Sequence, residues 1–98
     1  MSKKIWKLLM MLVLLSFLTT GCYYFAAKKE IKNAEQLISQ LKKEGGATLV
    51  PYEYTSAEKF LEISKIEFND NDFKMSQGFA ARSKSAAEAG LVEVKKKK

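Results

Sequence analysis

The stretch that most constrains this chain is its beginning. Lys3, Lys4 and Lys7 precede a run from Leu8 to Ala27 that carries no charge. The strongly apolar part of that run, Leu8 to Leu18, is eleven residues long and gives way to Thr19, Thr20, Gly21 and Cys22. Basic residues, then an apolar segment of roughly 7–15 residues, then small residues form the pattern of a secretory signal. A helix of about 20 apolar residues can span a bilayer, and the whole uncharged run reaches that length. A single-pass protein with an uncleaved anchor helix is therefore the alternative. The shortness of the apolar part, and the small polar residues after it, favour the signal. Under either reading Lys3, Lys4 and Lys7 stay on the cytoplasmic side, and everything after Cys22 is exported.

Cys22 is the single cysteine of the chain, and it directly follows Gly21. Together with the apolar run, this resembles a bacterial lipoprotein signal with its lipobox. The resemblance implies that residues 1–21 are removed as a signal peptide. Cys22 then becomes the lipidated first residue, and residues 22–25 form the membrane-held start of the mature protein. Lipoboxes usually carry Leu, Val or Ile three places before the cysteine. Here that place is Thr19, with Leu18 one step further back. Tyr23, rather than an aspartate, follows the cysteine. By the same resemblance this implies the outer membrane more than the inner one, with the protein facing the periplasm. A free thiol is unusual outside the cytoplasm, and lipidation at Cys22 would remove it.

Beyond Cys22 the chain is long enough for one small domain. Such a domain buries only about 60–65% of its unfolded surface, and one cysteine cannot form a disulfide within the chain. Stability must come from packing, from a partner or from the membrane. The formal charge of +6 overstates the basicity of that domain. Three of the lysines belong to the signal and four to the tail Lys95–Lys98. Between them lysines and glutamates are interspersed, so nothing suggests a nucleic-acid partner.

The hydrophobic pattern predicts three helices. Over residues 26–44, Ala27, Ile31, Ala34, Ile38 and Leu41 recur at three-four spacing, a pattern that Tyr24 begins, with Leu37 alongside and lysines and glutamates elsewhere. That is an amphipathic helix. Lys42 and Lys43 suit its dipole, and Gly45-Gly46 ends it. A second helix, 51–68, opens with Pro51 in the first turn and Glu53 near its positive end. Its broad apolar arc, Tyr54, Ala57, Phe60, Leu61, Ile63, Ile66 and Phe68, predicts the middle helix of the domain, with Leu61 buried between two neighbours. Asn69 to Asp72 is a turn cluster in which Asp72 is a good N-cap. The third helix, 72–89, is rich in Ser, Ala and Gly. Small residues let helices approach closely, while Gly78 costs about 1 kcal/mol relative to Ala. Gly90 reads as its C-cap. Residues 91–98 read as a frayed basic tail. Tyr23, Tyr24 and Phe25 suit the headgroup layer of a membrane.

Ala34-Glu35, Pro51-Tyr52-Glu53 with Ala57 and Leu61, Asn71-Asp72-Phe73, Ala80-Ala81 and Ala86-Ala87 together resemble the bacterial domain of unknown function 4398. The likeness covers roughly residues 32–89 and follows a lipobox-like start. It implies an all-α, antiparallel, tetratricopeptide-like helical domain, here of three helices over residues 26–90. Asn71-Asp72-Phe73 resembles the Asp-Tyr entry to the second helix of such a repeat. Ser64 and Ser76 stand where that family tends to have alanine. The resemblance implies no catalytic residue.

The chemistry of catalysis is thin. The chain has no histidine, which removes His-based triads, His bases and most zinc sites. Asp70 and Asp72 would start a calcium loop only with Gly at its sixth place and Glu at its twelfth. Those places hold Met75 and Ala81. Gly45-Gly46 lacks the Gly-Lys-Ser/Thr of a phosphate loop. Glu53, Glu58 and Glu62 fall on one helix, where a solvated face is the simpler reading than a carboxylate pair. Ser83, Lys84 and Ser85 are too close in sequence to face one another as a nucleophile pair.

The sequence thus predicts no enzyme, no cofactor, no metal and no small-molecule substrate. It predicts an exported lipoprotein, held to a membrane through Cys22, that serves as a small helical binding or scaffolding module with an envelope protein as partner. A self-associating coiled coil through Tyr24, Ile31, Ile38 and Leu41 is the alternative. Tyr52 is the aromatic most expected at the surface. The lysine tail reads as a solubilising end, with contact to anionic headgroups as the second reading.

Overall fold

The computed structural model describes residues 2–98, with the side chains of residues 16–21 excepted. The regular structure of the described residues is entirely helical. α1 spans Ser2–Lys43, α2 Gly46–Leu49, α3 Pro51–Asn69 and α4 Phe73–Lys97. The molecule is a rod, 71 Å long and 21 by 15 Å across.

The helix boundaries follow local chemistry. At the end of α1, Gly45 takes φ 85° and its N–H caps the Lys42 carbonyl at 3.0 Å. This left-handed position favours glycine. Pro51 opens α3 without losing a needed donor. Asn71, at φ 64°, turns the chain between α3 and α4. Asp72 then caps α4 by accepting from the Met75 N–H at 3.2 Å.

Packing follows a seven-residue rhythm in all three long helices. In α4 the buried positions are Ser76, Ala80, Ser83, Ala87, Gly90 and Val94, alternating steps of four and three. In α1 the fully buried Ala27, Ala34 and Leu41 are seven apart, as are Ala57 and Ser64 in α3. Steps of three and four are the spacing of coiled-coil seams. Here the seams meet within one chain. Tyr24 touches Phe73 near the start of α4, and Leu41 meets Val94 near its end. α1 and α4 therefore run parallel, with α3 antiparallel to both.

α4 packs along both α1 and α3, and those two touch each other far less. The expectation that 51–68 is the middle helix is thus corrected. Close approach by two neighbours needs small side chains, and α4 supplies them at nearly every buried position. The bulk on α3 lies to one side instead. Phe60 is half-buried and stacks on Phe79 at 6.3 Å. Leu61 is only partly buried, at the edge of a cluster of Ile38, Ala57 and Ala87.

The serines of this seam are not passive fillers. The Ser64 hydroxyl donates to the Ser76 carbonyl at 2.6 Å, and the Ser76 hydroxyl donates back to the Ser64 carbonyl at 2.8 Å. Each proton is used, so the 3.2 Å separation of the two hydroxyl oxygens is a contact rather than a third bond. Ser83 donates to the Ala57 carbonyl at 2.6 Å. A side chain this short reaches a backbone carbonyl on another helix only where the helices lie close. The two positions where the family resemblance expects alanine are thereby each other's partners.

The C-terminal region departs from its expectation. Gly90 does not end α4, which continues to Lys97. A Cβ on Gly90 would stand 2.8 Å from a methyl of Leu41 and 3.3 Å from the Glu53 Cβ, so glycine is required there for close packing. Val94 is 1% exposed and completes a cluster with Leu41 and Val50. The residues expected as a frayed tail are docked. Lys97 donates to the Leu49 carbonyl at 2.8 Å and Lys98 pairs with Glu44 at 2.7 Å.

Candidate functional site

The region of interest is the junction on α1 where the packed bundle stops. The first side chain of the bundle proper is Tyr24, six residues beyond Leu18. Its ring lies 5.4 Å from Phe68 and 5.1 Å from Phe73, and those two are 5.1 Å apart. Edge-to-face geometry at these separations is favourable beyond the area buried. This aromatic cluster closes the end of the bundle. Lys28 sits over the outer face of Tyr24 at 5.5 Å. Of the three aromatics expected at a headgroup layer, Tyr24 is therefore committed to the bundle and Phe25 is 72% exposed.

Cys22 lies two residues before this cluster and is exposed, with a free thiol. Before it, α1 continues as a helix whose described side chains from Ile5 to Leu15 are exposed on every face, Lys7 among them. A helix that is apolar all round has no solvent-suited face. Among the described residues, no helix is long and apolar enough to cross a membrane. Thr19, Thr20 and Gly21 of the lipobox-like sequence have side chains outside the described residues.

The opposite end of the rod gathers charge. Because α1 and α4 run parallel, their C-terminal turns meet there. Lys42 and Lys43 close α1 and Lys95–Lys97 close α4 at this end, where Lys98 pairs with Glu44 and the Glu53 Cβ lies near Gly90. The Lys98 ammonium holds the Glu44 carboxyl below its ordinary pKa, first by hydrogen bonding and then by charge. Lys96 pairs with Glu93 at 3.3 Å. The juxtaposition is invisible to a reading that treats the tail as unstructured. The three-four continuation from Ala87 through Gly90 to Val94 is the sequence signal that carries it.

The other residues singled out by the sequence are placed apart from any reaction chemistry. Ser83 is fully buried and spends its proton on Ala57, while Ser85 is exposed. Glu62 pairs with Lys59 at the surface. Glu58, through a hydrogen bond reinforced by partial burial, raises the Tyr54 hydroxyl above its ordinary pKa. Asp72 is a helix cap. No group of His, Cys, Asp and Glu among the described residues is arranged to hold a metal. The seam of Tyr24, Ile31, Ile38 and Leu41, considered for pairing two copies, is largely covered within the chain. Tyr24 faces Phe68 and Phe73, and Ile38 and Leu41 are buried against α3 and α4. Tyr52 is 79% exposed, beside a shallow apolar groove that includes Pro51, Phe60 and Ile63. No protein-family model, no curated protein and no solved structure matches the chain.

Proposed function

We propose that this chain is an exported lipoprotein, held to a membrane through a lipid on Cys22, whose helical domain is a non-catalytic scaffolding module of the bacterial envelope. The observation that carries the reading is the change in α1 at Cys22. Before it every described face from Ile5 to Leu15 is exposed, and nearly all of those side chains are apolar. After it a single stripe is buried. Exposed apolar surface of that extent belongs in lipid or in a processing complex rather than in water. The bundle begins at Tyr24, so removal of residues 1–21 would leave its contacts whole. Phe25 and Lys28 would then lie within two turns of the lipid, where an aromatic and a basic side chain suit the interface. The outer membrane, facing the periplasm, is the proposed location.

The likeness to the domain of unknown function 4398 and to a tetratricopeptide-like hairpin belongs to this proposal. The close α3–α4 pair and the Asn71-Asp72-Phe73 entry to α4 support it. Within the proposal the domain acts by binding, through surface left exposed by the three long helices. The test is Cys22→Ser in cells. It should accumulate as full-length precursor, still carrying Met1. Normal processing and normal membrane association of that variant would overturn the proposal.

A further inference from the structure

We infer that the lysine-rich end of the rod, opposite Cys22, is a docking surface for an acidic polysaccharide. The inference rests on the anchoring reading for its orientation. α1 is unbroken between Cys22 and Lys43, and a helix rises about 1.5 Å per residue. The lysine end would therefore stand roughly 30 Å from the lipid on Cys22. Val94, packed against Leu41 and Val50, holds the tail to the bundle, so the lysines keep that distance along the rod.

The chemistry of this end narrows the partner. Six lysines face three glutamates, and two of those glutamates are neutralised by Lys98 and Lys96. Lys42, Lys43 and Lys95 are exposed and form no direct salt bridge among the described residues, although the charge of Lys95 also acts on Glu44. There is no arginine at this end. Lysine is a hydrated point charge that reads charge density, whereas arginine forks read planar geometry. Protein interfaces are depleted in lysine. A lysine cluster without arginine therefore suits a flexible polyanion better than an acidic protein. Tyr52, in the first turn of α3 at the same end, adds an exposed aromatic ring. Such a ring can pack against the C–H face of a sugar, which phosphate alone cannot offer.

The test uses the full chain in nanodiscs of zwitterionic lipid, with polygalacturonate as the probe. Binding should weaken roughly tenfold or more between about 0.05 M and about 0.5 M salt, because exposed charges are screened. The triple variant Lys42→Gln, Lys43→Gln, Lys95→Gln leaves the Lys98–Glu44 and Lys96–Glu93 bridges in place and should lose most of the binding. Tyr52→Ala should weaken it with the salt dependence unchanged. A control triple variant at the other end, Lys28→Gln, Lys29→Gln, Lys32→Gln, should bind as the unaltered chain does. No binding to polygalacturonate overturns the inference. So does equal loss in the two triple variants, and so does preference for anionic phospholipid vesicles or polyglutamate over the polysaccharide. Cys22→Ser, assayed in the same nanodiscs, should keep its polysaccharide binding, so that a failure of the anchoring reading is seen separately.

Discussion

The two halves of α1 share one helix and almost nothing else. From Ile5 to Leu15 the described side chains are exposed on all sides and mostly apolar. From Ala27 to Leu41 one stripe is buried, with Ala27, Ala34 and Leu41 fully covered, while lysines and glutamates lie on the exposed faces. Backbone hydrogen bonding treats both alike, since a helix satisfies its own donors and acceptors whatever its side chains do. The difference therefore lies in what each half needs around it. The second half has α3 and α4. Among the described residues no helix covers the first half, and its apolar surface is the part that the proposed anchoring places in lipid or a processing machinery. Cys22 stands at the boundary.

The largest effect should come from attacking the second half. Leu41 is fully buried, packed against Val50 and Val94 and close to Gly46 and Gly90. Leu41→Ala should cost about 2–5 kcal/mol, enough to unfold much of so small a domain, read by thermal melting of the full chain. The matching change in the first half, Leu9→Lys, should leave the melting of the bundle unchanged and abolish membrane association. Equal effects on melting would erase the distinction between the halves.

A finer comparison lies within α4, where two glycines occupy opposite surroundings. A Cβ on Gly78 meets nothing within 4 Å, whereas one on Gly90 would press on the buried Leu41. Gly90→Ala should destabilise, because overpacking costs about 1–3 kcal/mol against a smaller gain in helix propensity. Gly78→Ala should stabilise by about 1 kcal/mol. Denaturant midpoints of the two variants should move in opposite directions. Shifts of the same sign would show that Gly90 is not a close-packing position.

The seam between α3 and α4 offers a smaller test. Ser83→Ala removes one hydrogen bond and leaves the Ala57 carbonyl its helical partner, so the loss should be about 0.5–1.5 kcal/mol. No change in the denaturant midpoint would mean that the close approach of α3 and α4 does not depend on it.

The smallest effect concerns pH. The Glu44 carboxyl is held below its ordinary value near 4.5 by Lys98. A lowered carboxylate pKa contributes stability above the unfolded value, and that contribution fades as the pH falls through the folded one. Lys98→Gln should therefore melt slightly lower than the unaltered chain at neutral pH, and the gap should close well below pH 4.5. A gap that persists in acid would place the effect elsewhere.

Much of this was legible in the sequence. Apolar periodicity marks each long helix, Gly45-Gly46 and Asn69–Asp72 mark the turns, and Pro51 and Asp72 mark two helix starts. Two features depart from what the pattern predicts, each for a physical reason. Bulk predicts the central place for α3, whereas closeness to two neighbours selects small residues, and α4 holds the centre. Gly90 reads as a stop because glycine commonly ends helices. Here it is a contact point, and the steps from Ala87 to Gly90 to Val94 continue the seam past it. The basic end is hidden for the same reason, since only a continuous α4 carries Lys95–Lys98 to the end of the rod where α1 closes with Lys42 and Lys43. The buried serines carry no sequence signal for their pairing, because a hydroxyl reads as polar until a carbonyl lies within reach.

The most direct measurement is the intact mass of the protein extracted from the membranes of the cells that make it. The account predicts a mature chain that begins at Cys22 and carries acyl groups there. A mass that includes Met1 with an unmodified thiol on Cys22 would contradict it.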